Sequence, residues 1–267
     1  MSAVETISGP SAEPISRDEA KAHLRVQSFE DDALIDELIT AAREWIEADT
    51  GRDLVLCRRR LVRDAFPALG TTPIRLRRAP TRGIVAVYYK DTAGTPQTWP
   101  EASYQADMAS LPARLLPAFG VSWPTTQCGR LNAVEIVYRS GHLVPFAADT
   151  GTGTLSAADH PFADGDMVRL SNSGGLPPAP LDTNADYHVV NATATTVQLA
   201  LTVSGEPIEL TTAGSGLGFL GALPGALRQA LLSLVAHLYE HREAAPAAMP
   251  PQVAALIAPY RVMHSHG

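Results

Sequence analysis

His237, Glu240 and His241 form the pattern H-x-x-E-H within the run LLSLVAHLYEHRE. On a helix, residues four apart share a face, so both histidines could bind one zinc ion beside a catalytic carboxylate. A zinc peptidase also needs a third protein ligand. No Asp or Glu follows Glu243, and His264 and His266 lie in the terminal tail. We therefore predict that the chain is not an enzyme and holds no metal or other cofactor.

The helix that carries this pattern has a simpler interpretation. Its leucines recur at helical spacing, and the two histidines flank the stripe that they form. Pro224 suits the first turn of such a helix. The leucines of the stripe are Leu227, Leu231, Leu234 and Leu238. The spacing predicts a packed helix from Pro224 with the histidines at its boundary.

Gly216, Gly218 and Gly221 spell G-x-G-x-x-G just before the same helix. The dinucleotide-binding fingerprint requires a βαβ unit in a parallel sheet. No alternating β/α pattern surrounds these glycines. They predict a flexible segment at the end of a domain.

A third group of candidate residues is basic and lies on predicted strands. Consecutive strand residues point to opposite faces, so the run RRR cannot enter one core. Guanidinium groups pair with carboxylates or phosphates, which leaves two alternatives: a solvated face with local ion pairs, or a surface for a partner. No DNA-reading motif is visible, so sequence-specific DNA binding is not predicted. The arginines are Arg58, Arg59, Arg60, Arg63, Arg75, Arg77, Arg78 and Arg82.

Two helices are predicted near the N-terminus, after a flexible lead-in. Ser16 and Glu19 form the S-x-x-E arrangement that begins a helix. Residues 30–50 follow with apolar side chains at helical spacing, and Gly51 provides a left-handed stop. Residues 251–258 allow one or two further helical turns.

The middle of the chain predicts strands. The segments LVLCRRRLVRDAF, PIRLRRAP, GIVAVYYKD, TPQTWP, ASYQAD and NAVEIVYRSG are short and punctuated by Pro and Gly. A hydrophobic content of 45% fits a globular core. No run approaches the roughly 18 to 20 apolar residues that cross a membrane, so no membrane partner is predicted.

Residues 147–221 differ from the rest in charge. They hold eight acidic residues against one base, Arg169, a net charge of -7, whereas acids and bases balance elsewhere. The stretch predicts strands in GTGTLSAA, DMVRLSN, DYHVVNATATTVQLAL and PIELTT, with flexible boundaries. The fold class predicted is α+β: two N-terminal helices and a C-terminal helix form a bundle with a small antiparallel sheet. Residues 1–146 and 222–267 form this core domain, and residues 147–221 an acidic all-β insertion.

The order of these segments resembles the head–tail connector (adaptor) family of long-tailed bacteriophages and related gene-transfer particles. The resemblance covers about 1–146 and 222–267. It rests on ISRDEAKAHLRV, the DDxLIxxLIxxAxxxxE helix that begins at Asp31, VEIVYRSGH, the AHLYEHRE helix and APYRV. The insertion departs from the family pattern and is similar to small β modules of other virion proteins.

The resemblance implies a structural virion protein, made in the host cytoplasm and located in the neck at the head–tail junction. Such adaptors form a ring, usually of twelve subunits, beneath the portal protein. They dock the next neck, stopper or tail-completion protein and let genomic DNA pass without sequence-specific binding. Interface contacts are expected at Arg58, Arg60, Arg75, Arg77, Arg78, Tyr239, Arg242, Tyr260 and Arg261.

Two alternatives stay open from the sequence. The insertion could be a binding module that recognises a glycan or host surface, with the remainder as its mount. A zinc-dependent hydrolase using His237, Glu240 and His241 is the other. The acidic insertion could face the lumen, where it would repel DNA, or face outwards.

Overall fold

The computed structural model describes residues 2–241 and 248–262. Helices and antiparallel sheets both contribute, so the fold class is α+β. Within the described residues the helices are α1 (Arg17–Leu24), α2 (Asp32–Thr50), α3 (Gly225–Glu240) and α4 (Pro251–Ile257). None of them is long and apolar enough to span a membrane.

The strands form three groups. The first seven in the chain are β1 (Ser2–Ser8), β2 (Cys57–Arg63), β3 (Ile74–Arg75), β4 (Thr81–Lys90), β5 (Pro96–Trp99), β6 (Tyr104–Asp107) and β7 (Arg114–Pro117). The others are β8 (Val134–Ser140), β9 (Val144–Asp149), β10 (Thr154–Ser156), β11 (Met167–Ser173), β12 (Asp186–Val190), β13 (Thr196–Ala200) and β14 (Leu217–Leu220). A five-stranded sheet has the order β1-β2-β8-β4-β5, and a three-stranded sheet the order β3-β7-β6. The remaining six strands close a barrel in the order β10-β13-β12-β11-β14-β9.

The four helices share one apolar core. Ile35 and Ile39 of α2 face Leu227 and Leu231 of α3, and all four side chains are buried. Their spacing places them on the inner face of each helix. Val253 of α4 closes the same cluster. The leucine stripe is therefore confirmed as core.

The start of α1 is capped as the sequence predicts, but only in part. The Ser16 hydroxyl accepts a hydrogen bond from the Glu19 N–H at 3.1 Å. The Glu19 side chain does not return the bond: it accepts from the hydroxyl of Ser173 in β11, and the Ser16 N–H donates to the same hydroxyl at 2.6 Å. The barrel thus completes the cap and is joined to the helices there.

The barrel has its own core and further ties to the sheet. Leu155, Val168 and Leu199 are among the buried side chains inside it. On its outside, Asp159 accepts from Arg139 of β8 at 2.9 Å. Phe219 of β14 packs outside that core, against Val55 and Leu143. Hydrogen bonds, an ion pair and apolar contacts therefore fix the barrel to the rest of the chain.

Three expectations about local structure are wrong. The lead-in was expected to be flexible, but its residues form β1, which pairs with β2 from Ser2↔Arg63 to Ser8↔Arg58. The segment PIELTT is not a strand. The glycine-rich exit is not a hinge, because Leu217–Leu220 is β14, and Leu220 pairs with Val144 of β9. For β1 and β14, a distant partner strand decides the conformation.

A half-buried histidine at the end of the five-stranded sheet gives a pH-dependent prediction. Burial, reinforced by the charges of Arg52 and Arg82, lowers the pKa of His142 from 6.5 to about 3. Its Nε2 has no hydrogen-bond partner within the described part of the chain. The unfolded chain therefore binds this proton more readily, so His142 costs stability as the pH falls from 6.5 towards 3.

We expect the free energy of unfolding of the wild type to fall by about 2 kcal/mol between pH 6.5 and pH 5 relative to His142→Phe. The variant removes the titrating group and keeps a ring of similar size. Urea denaturation of both proteins at half-unit pH intervals measures the difference. Parallel pH profiles would contradict the prediction.

Candidate assembly surface

The three consecutive arginines of β2 alternate between the two faces of the sheet. Arg59 points inwards, where its guanidinium donates to both oxygens of Asp53, at 3.0 and 2.5 Å. Asp53 is fully buried and also accepts from the hydroxyl of Ser140. Arg58 and Arg60 lie on the opposite face. The expectation that the run RRR cannot enter one core is confirmed.

The buried pair belongs to a larger polar network at the end of α2. Burial raises the pKa of Glu47. Its carboxylate accepts from the Leu54 N–H at 2.8 Å and from Arg43 at 3.1 Å. This network joins helix to sheet. It could not be predicted from the sequence, because Asp53 and Glu47 become neighbours only through the turn after α2.

Arg58 and Arg60, two of the predicted contact residues, already have partners within the chain. Arg58 lies 3.7 Å from Asp159 of the barrel. Arg60 donates to Glu5 of β1 at 2.6 Å and to Glu135 of β8 at 3.3 Å. About 40% of the Arg60 side chain stays exposed, so it can still meet a neighbour. These two arginines hold strands and the barrel together.

Arg75 and Arg77 are different, because both are exposed and neither forms an ion pair within residues 2–241 and 248–262. Arg78 turns inwards in a left-handed conformation, with φ 73°, and donates to the Glu47 carbonyl at 2.7 Å. Of the predicted contact arginines that the structure describes, Arg75 and Arg77 are therefore the two with guanidinium groups that are available to a partner.

An exposed apolar side chain accompanies these two arginines. Leu111 is 53% exposed. The Leu76 N–H donates to the Ala113 carbonyl at 2.8 Å, which brings the segment that contains Arg75 and Arg77 beside residues 111–113. We call Arg75, Arg77 and Leu111 the Arg75 surface. Leu111 could not be predicted from the sequence, because a single apolar residue in a loop carries no periodicity.

The C-terminal contact residues also make bonds within the chain. The Tyr239 hydroxyl donates to Asp31 at 2.5 Å. The Tyr260 carbonyl accepts from Arg52 at 2.6 Å. Arg261 donates to both oxygens of Asp49, at 2.7 and 3.1 Å. Arg242 lies outside the described residues. These bonds hold α3 against the start of α2, and residues 260 and 261 against its end.

The rings of the two histidines of the H-x-x-E-H pattern lie against each other at an interplanar angle of 35°. Their ring centroids are 4.3 Å apart, and the Nδ1 of His241 lies 2.9 Å from the carbonyl oxygen of His237. Within the described residues no group of three His, Cys, Asp or Glu side chains is placed to hold a metal ion. The histidines border a helix whose inner face belongs to the core.

The segment that carries the polar network and the arginines of β2 and β3 is similar to a known protein family. Residues 15–93 match the family described as Phage gp6-like head-tail connector protein. This segment of the chain is similar to head–tail connectors. The matched segment runs through α1 and α2 and on through β2–β4, and so includes the network around Asp53 and the arginines of β2 and β3. The resemblance inferred from the sequence is confirmed.

Solved structures show that the fold extends beyond this segment. One chain of the virion of a native gene transfer agent particle is 21% identical, with 99% of this chain and 97% of that chain covered and a TM-score of 0.57. A chain of the neck of an empty particle, computed with C6 symmetry, gives a TM-score of 0.57 at 21% identity. A chain of the neck of a native particle, computed with C12 symmetry, gives a TM-score of 0.54 at 20% identity. They cover 99% of this chain and 98% of their own length. No curated protein sequence matches the chain. At this identity the likeness establishes the fold, and its coverage includes the barrel.

Proposed function

We propose that the protein is a non-enzymatic structural subunit of the neck of a phage-like particle. The match of residues 15–93 to head–tail connectors carries the proposal. The similar chains from gene transfer agent necks support it, since those necks were computed with C6 and C12 symmetry. In this proposal the subunits form a ring, of twelve copies, between the portal protein and the next neck or tail component, with DNA passing through the lumen.

We propose a division of labour within the chain. Residues 1–146 and 222–267 form the connector core and residues 147–221 an inserted β module, and the closed barrel also includes the first residues of β9, from Val144. The helices share one core, and the barrel is closed on itself. A ring requires two different surfaces on each subunit that fit each other. The exposed Arg75 and Arg77 are the arginines best placed for such a contact, and Arg58, Arg60, Arg78, Tyr239, Tyr260 and Arg261 support the surfaces around them.

Removing the protein from particle-producing cells tests the proposal directly. We expect DNA-filled heads and separate tails in place of joined particles, since the neck would lack its connecting ring. Electron microscopy of the lysate distinguishes these forms. In complemented cells, reconstruction of the neck should place the chain as a ring between portal and tail. Joined particles without the protein, or particles in which it is absent, would reject the proposal.

A further inference from the structure

One end of the barrel exposes apolar side chains. Met167, Leu201 and Val203 are 67%, 70% and 61% exposed. We call these three residues the barrel tip. Exposed apolar groups that lie together are typical of a surface that another protein covers.

Strand pairing shows that the tip residues are neighbours. Met167 lies opposite His188, and His188 lies opposite Ala200, so two strand spacings of about 5 Å separate Met167 from the residue before Leu201. Val203 lies close to the loop before β11, because a Cβ built on Gly165 would be 3.9 Å from its Cγ1. The three residues therefore lie together at this end of the barrel.

The tip points away from the helices. It lies at the Met167 end of β11, whereas Ser173 at the other end bonds Ser16 and Glu19 of α1. The two ends of this strand are about 20 Å apart at 3.3 Å per residue. The tip is thus free to reach a neighbouring molecule.

Acidic side chains surround the tip. Asp164, Asp166 and Glu206 are exposed. The carboxylates of Asp164 and Asp166 accept backbone N–H groups, from Ala192 and Ala163, each at 2.8 Å. No Lys or Arg within residues 2–241 and 248–262 forms an ion pair with any of the three. An apolar patch with an acidic rim fits a partner that is apolar and basic.

The Arg75 surface has this complementary character. It combines Leu111 with two exposed guanidinium groups that lack an acidic partner among the described residues. The arginine opposite Arg75, Arg114 of β7, is already paired with Asp107 at 2.6 Å. Arg75 and Arg77 are therefore available for carboxylates of another molecule.

We propose that the barrel tip of one copy docks on the Arg75 surface of a second copy. The inference rests on the proposed ring, and it names the two surfaces that meet at each subunit boundary. Because the surfaces differ, the contact is head-to-tail and repeats from copy to copy until the ring closes. The barrel then acts as a clamp between neighbouring connector cores.

Charge reversal tests the contact in particles. The tip variant carries Asp164→Lys and Glu206→Lys, and the surface variant carries Arg75→Glu and Arg77→Glu. We expect each variant alone to be incorporated into particles about tenfold less than the wild type, because like charges then face each other at every boundary. Incorporation is measured by quantitative mass spectrometry of purified particles against a capsid protein.

Co-expression of the two variants should restore incorporation. At one boundary, the lysines on the barrel tip of the tip variant meet the glutamates on the Arg75 surface of the surface variant. At the next boundary, the unchanged barrel tip of the surface variant meets the unchanged Arg75 surface of the tip variant. A ring in which the two variants alternate therefore closes without like-charge contacts. Glu37→Lys on α2 and Arg130→Glu make the same types of charge change at exposed positions elsewhere and should leave incorporation unchanged.

The outcomes separate this inference from the proposed function. If the variants were incorporated as well as the wild type, the inference would be overturned and the proposed ring would be unaffected. Loss that co-expression does not restore would also overturn it. Absence of the wild-type chain from particles would instead reject the proposed function, and the inference with it.

Discussion

Asp53→Ala should lower the free energy of unfolding by about 3–5 kcal/mol, because it leaves the guanidinium of Arg59 buried without its counter-charge. Asp53 is 0% exposed, and the side chain of Arg59 is 9% exposed. The same substitution removes the acceptor of the buried hydroxyl of Ser140. A loss of this size is a large fraction of the stability of an ordinary domain.

Urea denaturation measures the loss, and Cys57 provides an independent readout. Burial and the neighbouring Asp53 carboxylate raise the pKa of the Cys57 thiol to about 12, so it should resist alkylation while the sheet is folded. In Asp53→Ala, Cys57 should react faster because the sheet opens more often.

Two matched substitutions show whether the missing charge is the cause. Asp53→Asn keeps the shape of the side chain without its charge and should also destabilise the protein. Asp49→Ala removes the exposed ion pair with Arg261 and should cost about 0–1 kcal/mol. Equal losses for Asp49→Ala and Asp53→Ala would contradict the explanation.

The helices could be predicted from the sequence, because the residues that determine each helix lie within it. Asp32–Thr50 follows from the spacing of its apolar residues, and Gly51 ends it with φ 67° as expected. Helix α3 follows from its leucines. The sequence did not reveal β1 or β14, because both strands are set by pairing with distant segments. Strand pairing over long separations leaves only a weak local pattern.

The same distinction applies to the candidate surfaces. The alternation of Arg58, Arg59 and Arg60 could be predicted, since it depends on the geometry of one strand. That Arg59 faces a buried carboxylate could not, because Asp53 reaches it across a turn. The exposed pair Arg75 and Arg77 differs from the other arginines only in lacking an acidic neighbour, a property of the folded surface.

Phe219→Ala is the second substitution expected to have a large effect, a loss of about 3–5 kcal/mol. Phe219 is 1% exposed and packs against Val55, which follows α2, and Leu143, which precedes the barrel. The cavity would therefore open at the junction of barrel and core. The barrel interior and the helical core are separate apolar clusters and remain packed.

Hydrogen exchange shows where the stability is lost. In Phe219→Ala we expect faster exchange on both sides of the junction: at the amides of β9 and β14, and at the Ser16 N–H, which donates to the barrel residue Ser173. Leu155→Ala is the matched control, because Leu155 is equally buried but lies inside the barrel. It should speed exchange within the barrel and leave the amides of α2 and α3 protected. If both variants gave the same exchange pattern, the junction would not be the element that couples barrel to core.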